Sequence, residues 1–562
     1  APSLKTELQS YGIQDYSNAL IPADIVNWAF VFTFKGFFIL VIVFACNPVS
    51  LFTSTPFIPL FRYSIACLFF VLFITIFLSL TARVSGQRNV ILIIADDLGP
   101  DYFGFYENYG DTVAVPHLRD LVRKGVRFKN TFANPVCSST RTGILTGRYS
   151  FRTGVGYIVG SAAGSGQLDT AEKTIPKLLT SFNSNIACAN IGKWHLNNPN
   201  PSNNLLIPNY MGYQHFEGPF IGALNNYNNW TKYTNGIAST VTTYATTEQV
   251  NNAVSWIQSL SSNQPFFLWL AFNSPHDPLH LPPANLHNFS SLSGLPADIN
   301  ANPKAYFKAM IQAMDTEIGR LFDSLQVINR LDSTNVIFIG DNGNTIKTAQ
   351  ISNLTRAKGT IYEYGIHVPM IISGPSVLSP NSSSDALVNT VDIFATVQDI
   401  MGNTDWSNQI PVNSQVDAHS LLPIINNNSP QIRPWAFSEI FKLITYTSDG
   451  KSIPNMEYKL LKFDDGQEKF FNLTLDPLEN DNLLQGTLNA YELSNYNYLC
   501  SEMTNLIGTN NYCNSSVSSR KIEQSKIEIY PNPFTKNIYF KSLNNSPYFQ
   551  LYDPVGKVIY QG

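Results

Sequence analysis

The sequence predicts an α/β fold: a large, mostly parallel mixed sheet flanked by helices, then a smaller C-terminal antiparallel subdomain and a short appended β module. Three observations carry this. Unbroken aliphatic runs such as Asn89-Val-Ile-Leu-Ile-Ile-Ala95 fit strands buried on both faces, the kind found in parallel sheets covered by helices. Such runs alternate with segments of helical periodicity, and one after another they end in polar residues, where these sheets bind ligands. Beyond about residue 433 the rhythm changes to short strands.

In chain order, residues 1–86 form an apolar leader region, with runs over 28–46, interrupted by Lys35 and Gly36, and over 65–80. Arg62 precedes the second run and small residues follow it, ending Ser85-Gly86, which is the order of a secretory signal peptide near 62–86. That run falls short of the roughly 20 residues a membrane helix wants, so a signal is expected ahead of an N-terminal membrane anchor. Upstream of 62 the chain reads as read-through or a transmembrane segment.

A catalytic α/β domain is expected over 87–430. It starts with a strand at 89–95 running into Asp96-Asp97-Leu-Gly99. A helix over 116–124, closed by Gly125, and a strand over 126–132 lead to Asn134-Pro-Val-Cys137, where a further helix opens. A helix over 174–182 precedes a strand over 186–191 and Gly192-Lys193-Trp-His195; the Asn-rich segment 197–235 reads as loops. A strand over 265–272 ends in Ser274-Pro-His276, and a helix over 304–327 precedes a strand over 335–339 ending in Gly340-Asp341-Asn342-Gly343. A loop carrying Lys358, a strand over 368–372 and an amphipathic helix over 392–401 complete the domain. The subdomain over 431–514 has strands at 435–439, 458–463 and 469–472 and a terminal helix; a Ser-rich linker (515–526) then leads to the β module at 527–562.

A formal net charge of −4 gives no basic footprint, so nucleic acid is not an expected partner. Six cysteines are too few for a disulfide scaffold; Cys500 and Cys513 are spaced to pair, and Cys137 and Cys188 lack zinc-finger spacing. Asp96, Asp97, Asp341 and Asn342 are oxygen donors that suit Ca²⁺ or Mg²⁺ better than zinc. Arg141, Lys193, His195, His276 and Lys358 supply positive charge. Cys137, at a helix start with Arg141 one turn on, has a position that activates a nucleophile. A hard cation and a basic ring around a nucleophile suit displacement at the tetrahedral centre of a sulfate or phosphate ester.

The order Asn89-Val-Ile-Leu-Ile-Ile-Ala-Asp-Asp, Cys137-Ser-Ser-Thr-Arg141 with Leu145-Thr-Gly-Arg, Gly192-Lys-Trp-His, Ser274-Pro-His and Gly340-Asp-Asn-Gly resembles the arylsulfatase-type sulfatase family of the alkaline phosphatase superfamily, over 88–485. Lys469-Phe-Phe-Asn-Leu and Asp476-Pro-Leu-Glu479 resemble its C-terminal subdomain. The resemblance implies an alkaline phosphatase-like fold and hydrolysis of sulfate esters on small molecules or polysaccharides. It implies Ca²⁺, in preference to Mg²⁺, at Asp96, Asp97, Asp341 and Asn342, with position 137 at the metal as well. It further implies conversion of Cys137 to formylglycine by a maturation enzyme, the hydrated aldehyde attacking sulfur. Arg141 and Lys193 would steady that group, His195 would assist sulfate release, and His276 and Lys358 would hold sulfate and protonate the leaving oxygen. Two signatures depart from the family pattern: Ser139 and Thr140 follow where Pro and then Ser or Ala are usual, and Asn185, Ile186 and Cys188 replace Gly, Tyr and Thr. The alternatives are a phosphodiesterase or phosphonate hydrolase of the same superfamily and an inactive glycan-binding surface homologue. Tyr530-Pro-Asn-Pro and Tyr552-Asp-Pro-Val-Gly-Lys resemble the start of a type IX secretion sorting domain. That implies export machinery as a partner and a secreted, periplasmic or cell-surface location.

Overall fold

The structure is a computed structural model that describes residues 88–106, 110–160, 166–441, 450–508 and 513, and strands within 29–42 and 528–561. The chain divides into two units, 1–85 and 86–562. In the first, Ala29–Phe34 pairs antiparallel with Phe37–Ile42, so the described part of the first apolar run is a hairpin. The expected signal segment at 62–86 lies outside the described residues up to 87, and no helix among those described is long and apolar enough to cross a membrane.

In the second unit the run expected over 89–95 is strand β1 (Asn89–Ala95), with all of its residues buried. Around it lie β2 (Gly125–Phe132), β3 (Ala187–Gly192), β4 (His215–Gly218), β5 (Trp230–Thr234), β6 (Ile237–Val241), β7 (Phe266–Ala271), β8 (Thr334–Gly340), β9 (Met370–Ser373) and β10 (Ser382–Asn389). They form one sheet in the order β10-β2-β9-β8-β1-β7-β3-β4-β5-β6. The central strands β8, β1, β7 and β3 are parallel, whereas β9 runs against both its neighbours and β5 against β4 and β6.

Side chains alternate along β1 and feed two cores. Ile91 and Ile93 pack with helices α1 (Pro116–Arg123), α4 (Ala245–Ser259) and α5 (Pro303–Val327) through Leu118, Val250 and Met310. Val90, Leu92 and Ile94 pack on the other face with α2 (Cys137–Thr146), α3 (Ile175–Phe182) and α6 (Asp392–Ile400) through Leu145, Leu178 and Phe394. Period-2 burial into two helix layers explains why β1 is aliphatic from Val90 onward.

The Asn-rich segment read as loops holds β4 and part of the β5–β6 hairpin. The hairpin faces solvent, so Thr, Lys and Ser give it no apolar alternation to read. Helix α4 also goes beyond the sequence reading: Val250, Ala253 and Ile257 have helical spacing, diluted by Asn251, Asn252 and neighbouring threonines.

The subdomain is a four-stranded antiparallel sheet of β11 (Ser438–Ile440), β12 (Gly450–Pro454), β13 (Tyr458–Phe463) and β14 (Glu468–Asn472). Helix α7 (Ala490–Ile507) covers it, opened by a capping box of Asn489 and Glu492, and Cys500 pairs with Cys513 as expected. The linker at 515–526 lies outside the described residues; in the appended module Glu528–Tyr530 pairs with Tyr539–Lys541 and Gln550–Tyr552 with Val558–Gln561.

Strand β11 docks on the segment that leads to Cys137. Ser438 Oγ donates to Ala133 O at 2.6 Å, and Glu439 N donates to Asn134 Oδ1 at 3.1 Å. The Glu439 carboxyl accepts from Phe151 N at 2.7 Å but is otherwise enclosed. Burial pushes it up from 4.5 to about 7, against the Lys451 charge and the Phe151 N–H. Between those two values the folded chain keeps a proton that the unfolded chain releases, so stability falls as pH rises from about 4.5 to about 7. Glu439→Gln therefore raises Tm more at pH 8 than at pH 4, read by calorimetry; equal shifts at both pH values refute the assignment.

Candidate active site

Strand register brings the candidate residues to one edge of the sheet. Ala95 pairs with Gly340, and Ala271 with both Ile94 and Gly192. The residues that follow (Asp96, Asp97, Asp341, Asn342, Lys193, His195 and His276) therefore leave the carboxyl ends of four adjacent parallel strands. Helix α2 begins beside them with Cys137, and all ten of its residues are buried. All ten residues singled out from the sequence meet here.

Two of them have backbone conformations unfavourable for non-glycine residues: Asp97 has φ 62° and His195 φ 57°. Each is held by its surroundings. Asp97 N donates to Asp341 Oδ1 at 3.0 Å, and His195 N to Phe220 O at 3.1 Å. The His195 ring also occupies the space over Gly222, where a Cβ would come within 2.3 Å of Cε1.

The charged groups are paired and buried. Arg141 Nη2 lies 2.8 Å from Asp341 Oδ2, Lys193 Nζ 2.5 Å from Asp96 Oδ2, and Lys358 Nζ contacts Asp97 Oδ1. His276 Nε2 sits 3.5 Å from Asp97 Oδ2, its Nδ1 donating to Asp277 O at 2.8 Å. Burial alone would raise the Asp97 carboxyl, but Lys358, His276 and Lys193 outweigh it and hold the group well below the usual range. Burial likewise disfavours the Lys358 charge, which Asp97, Cys137 and Asp96 more than restore.

At the nucleophile end, Cys137 Sγ lies 3.3 Å from His195 Nδ1, while Nε2 is 3.2 Å from Val159 O. The carbonyl fixes the tautomer with hydrogen on Nε2, leaving Nδ1 as an acceptor facing position 137. Burial, reinforced by the Lys193 charge, pushes this imidazole well below 6.5, so it is neutral. Ser138 Oγ donates to His195 O at 2.9 Å and accepts from Val159 N at 3.1 Å, tying the start of α2 to both neighbours. Ser139 Oγ donates to Val136 O at 2.9 Å.

Several buried polar atoms here have no hydrogen-bond partner: the acceptors Asp96 Oδ1, Asp97 Oδ2 and Asn342 Oδ1 and the donor Arg141 Nη1. Carboxylate oxygens of Asp96, Asp97 and Asp341 also fall in groups compact enough to share one ion, with Cys137 and His276 close by. Unsatisfied oxygens cost free energy unless a cation meets them, so the donor set fits a hard divalent ion. The charge balance agrees. Three carboxylates face three permanent cations, so a divalent ion would leave an excess of two positive charges, which a sulfate or phosphate dianion cancels.

Sequence reasoning missed the brace behind these loops. Buried Asp101 accepts from Asn344 Nδ2 at 2.7 Å and from Tyr364 Oη, and Asn344 Oδ1 accepts from Gly99 N at 2.7 Å. Asp101 thus ties the loop after β1 to the loop after β8. Asp101 and Asn344 stand just beyond Asp97 and Asn342, but nothing in the sequence pairs them with each other or with Tyr364.

The sequence matches the Sulfatase family profile over residues 88–403 and the N-sulphoglucosamine sulphohydrolase C-terminal profile over 356–512. Arylsulfatase J of Mus musculus is 24% identical over 371 residues, spanning 62% of this chain and 58% of the mouse protein. Human N-acetylgalactosamine-6-sulfatase is 23% identical over 385 residues, spanning 62% and 67%. The chain thus covers little more than half of the mouse relative. Among solved structures, Ps i-CgsB in complex with k-i-k-neocarrahexaose aligns with a TM-score of 0.62 at 24% identity, over 77% of this chain and 95% of that one. BT4656 in complex with its substrate D-glucosamine-2-N,6-O-disulfate aligns with a TM-score of 0.59 at 20% identity, over 76% and 99%. Both are likenesses of fold.

Proposed function

Because this chain belongs to the sulfatase family, whose profile covers residues 88–403 of its 562, we propose that it hydrolyses sulfate esters at the centre around Cys137. The observation that carries this is the convergence, beside Cys137, of buried acceptors and a buried donor that lack hydrogen-bond partners. Asp96, Asp97, Asp341 and Asn342 would hold a divalent cation, Ca²⁺ in preference to Mg²⁺ because donors from two separate strand-end loops suit its irregular coordination better than a strict octahedron, and the ion would polarise a sulfate oxygen. Formylglycine made from Cys137 by a maturation enzyme, and hydrated to a diol, would supply one hydroxyl to displace the alcohol from sulfur and a second to release sulfate.

The chain's own groups have separate tasks. Arg141 and Lys358 place positive charge on position 137, and Lys193 stands with them through Asp96. Neutral His195 takes a proton there through Nδ1. His276 and Lys358, on the side that solvent reaches, bind sulfate and give a proton to the departing oxygen.

Mass spectrometry of the Cys137 peptide, from protein made with a competent maturation enzyme, is expected to find an aldehyde in place of the thiol. kcat/KM on 4-nitrophenyl sulfate is expected to exceed that on bis(4-nitrophenyl) phosphate. The reverse order would favour a phosphodiesterase, and unmodified thiol without turnover would favour an inactive glycan-binding protein. Export by type IX machinery is part of the proposal, supported by the resemblance of 527–562; recovery of the chain only in the cytoplasmic fraction of its source cells would refute it.

A further inference from the structure

The burial of the site sets the direction from which substrate arrives. The side chains of Arg141 and Lys193 are fully buried, whereas those of His276 and Lys358 are 18% and 13% exposed. An ester whose sulfur reaches position 137 therefore leaves its alcohol part on the His276 side. A groove of about 620 Å³ opens there, with His276 in its wall.

The lining chemistry narrows what fits. Leu224, Leu279 and Ile299 stand beside the amides of Asn225 and Asn300. Apolar patches next to amides suit a sugar ring, which presents C–H faces and hydroxyls together. Lys347 lines the same groove; its Nζ is 3.5 Å from Asp277 Oδ2 and its side chain is 63% exposed. A pair so long and exposed holds the ammonium only loosely, and an ammonium has three donors, so Lys347 can bind an anion without abandoning Asp277.

We propose that this groove takes the alcohol part of the substrate as a sugar bearing a second anionic group, and that Lys347 recognises that group. The position of the scissile ester rests on the sulfatase reading; the groove and its cation do not. The shared chemistry is a second anion on the ring, which a sulfate or a uronic acid carboxylate provides.

Binding tests this without turnover. Calorimetry on the Ca²⁺-loaded Cys137→Ala chain would compare a hexose monosulfate, the corresponding disulfate and a uronic acid monosulfate. One or both doubly anionic sugars are expected to bind about 10-fold more tightly than the monosulfate, the effect of one charge-assisted contact. Which sugar shows the gain identifies the group. Adding Lys347→Ala is expected to bring the ratio close to one. An unchanged ratio in the double variant, no preference in the parent, or no binding of any sugar at millimolar concentration overturns the proposal. Failure of the matured wild-type chain to turn over 4-nitrophenyl sulfate would count against the sulfatase reading and leave this ratio to be judged separately.

Discussion

Replacing Cys137 by alanine is expected to lower kcat/KM for 4-nitrophenyl sulfate by at least about 10⁴-fold, the scale on which removing a covalent nucleophile acts. The fold survives the change. Cys137 is the first residue of α2, and its sulfur lies 3.3 Å from His195 Nδ1. Losing one buried atom costs about 1 kcal/mol. Sulfate binding is also expected to persist, because Arg141, Lys193 and Lys358 keep their carboxylate partners. Steady-state kinetics, thermal melting and sulfate titration check the three parts. Activity within tenfold of wild type would place the nucleophile elsewhere.

Chelating divalent metal is expected to have the second large effect, with turnover lost and Tm lowered by about 2 °C. An ion present at about 100 times its Kd contributes about 2.7 kcal/mol, which moves Tm by only about 2 °C in a chain of this size, because the unfolding entropy grows with length. The protein does not unfold outright, since Asp96, Asp97 and Asp341 each keep a cationic partner. Ca²⁺ is expected to restore both properties more fully than Mg²⁺, because side-chain oxygens on two strand-end loops suit flexible coordination better than a strict octahedron. Melting and activity that ignore EDTA would sink the ligand assignment.

Asp96, Asp97, His276, Asp341 and Asn342 were legible because they follow runs whose burial the sequence displays: residues 90–95 of β1, all of β7 and 336–339 of β8 are apolar, so the polar residues after them stand out. What the sequence concealed depends on partners far apart in the chain. Asp101 is braced by Asn344 and Tyr364, 243 and 263 residues on, and no local pattern marks such a pairing. Gly222 was unreadable for a similar reason: its role is the absence of a side chain where the His195 ring lies. The β5–β6 hairpin escaped because strands facing water need no apolar period.

The docking of β11 also imposes an order in time. Ser438, which holds the carbonyl of Ala133 just ahead of the cysteine, comes 305 residues later in the chain. A ribosome therefore exposes Cys137 long before it makes the strand that closes over that segment. Once β11 has docked, Cys137 is 1% exposed inside a helix buried along its whole length. An enzyme that converted this cysteine would have its access during synthesis, before β11 docks, and on the proposed function the fraction of active molecules would then be set by a race between modification and folding.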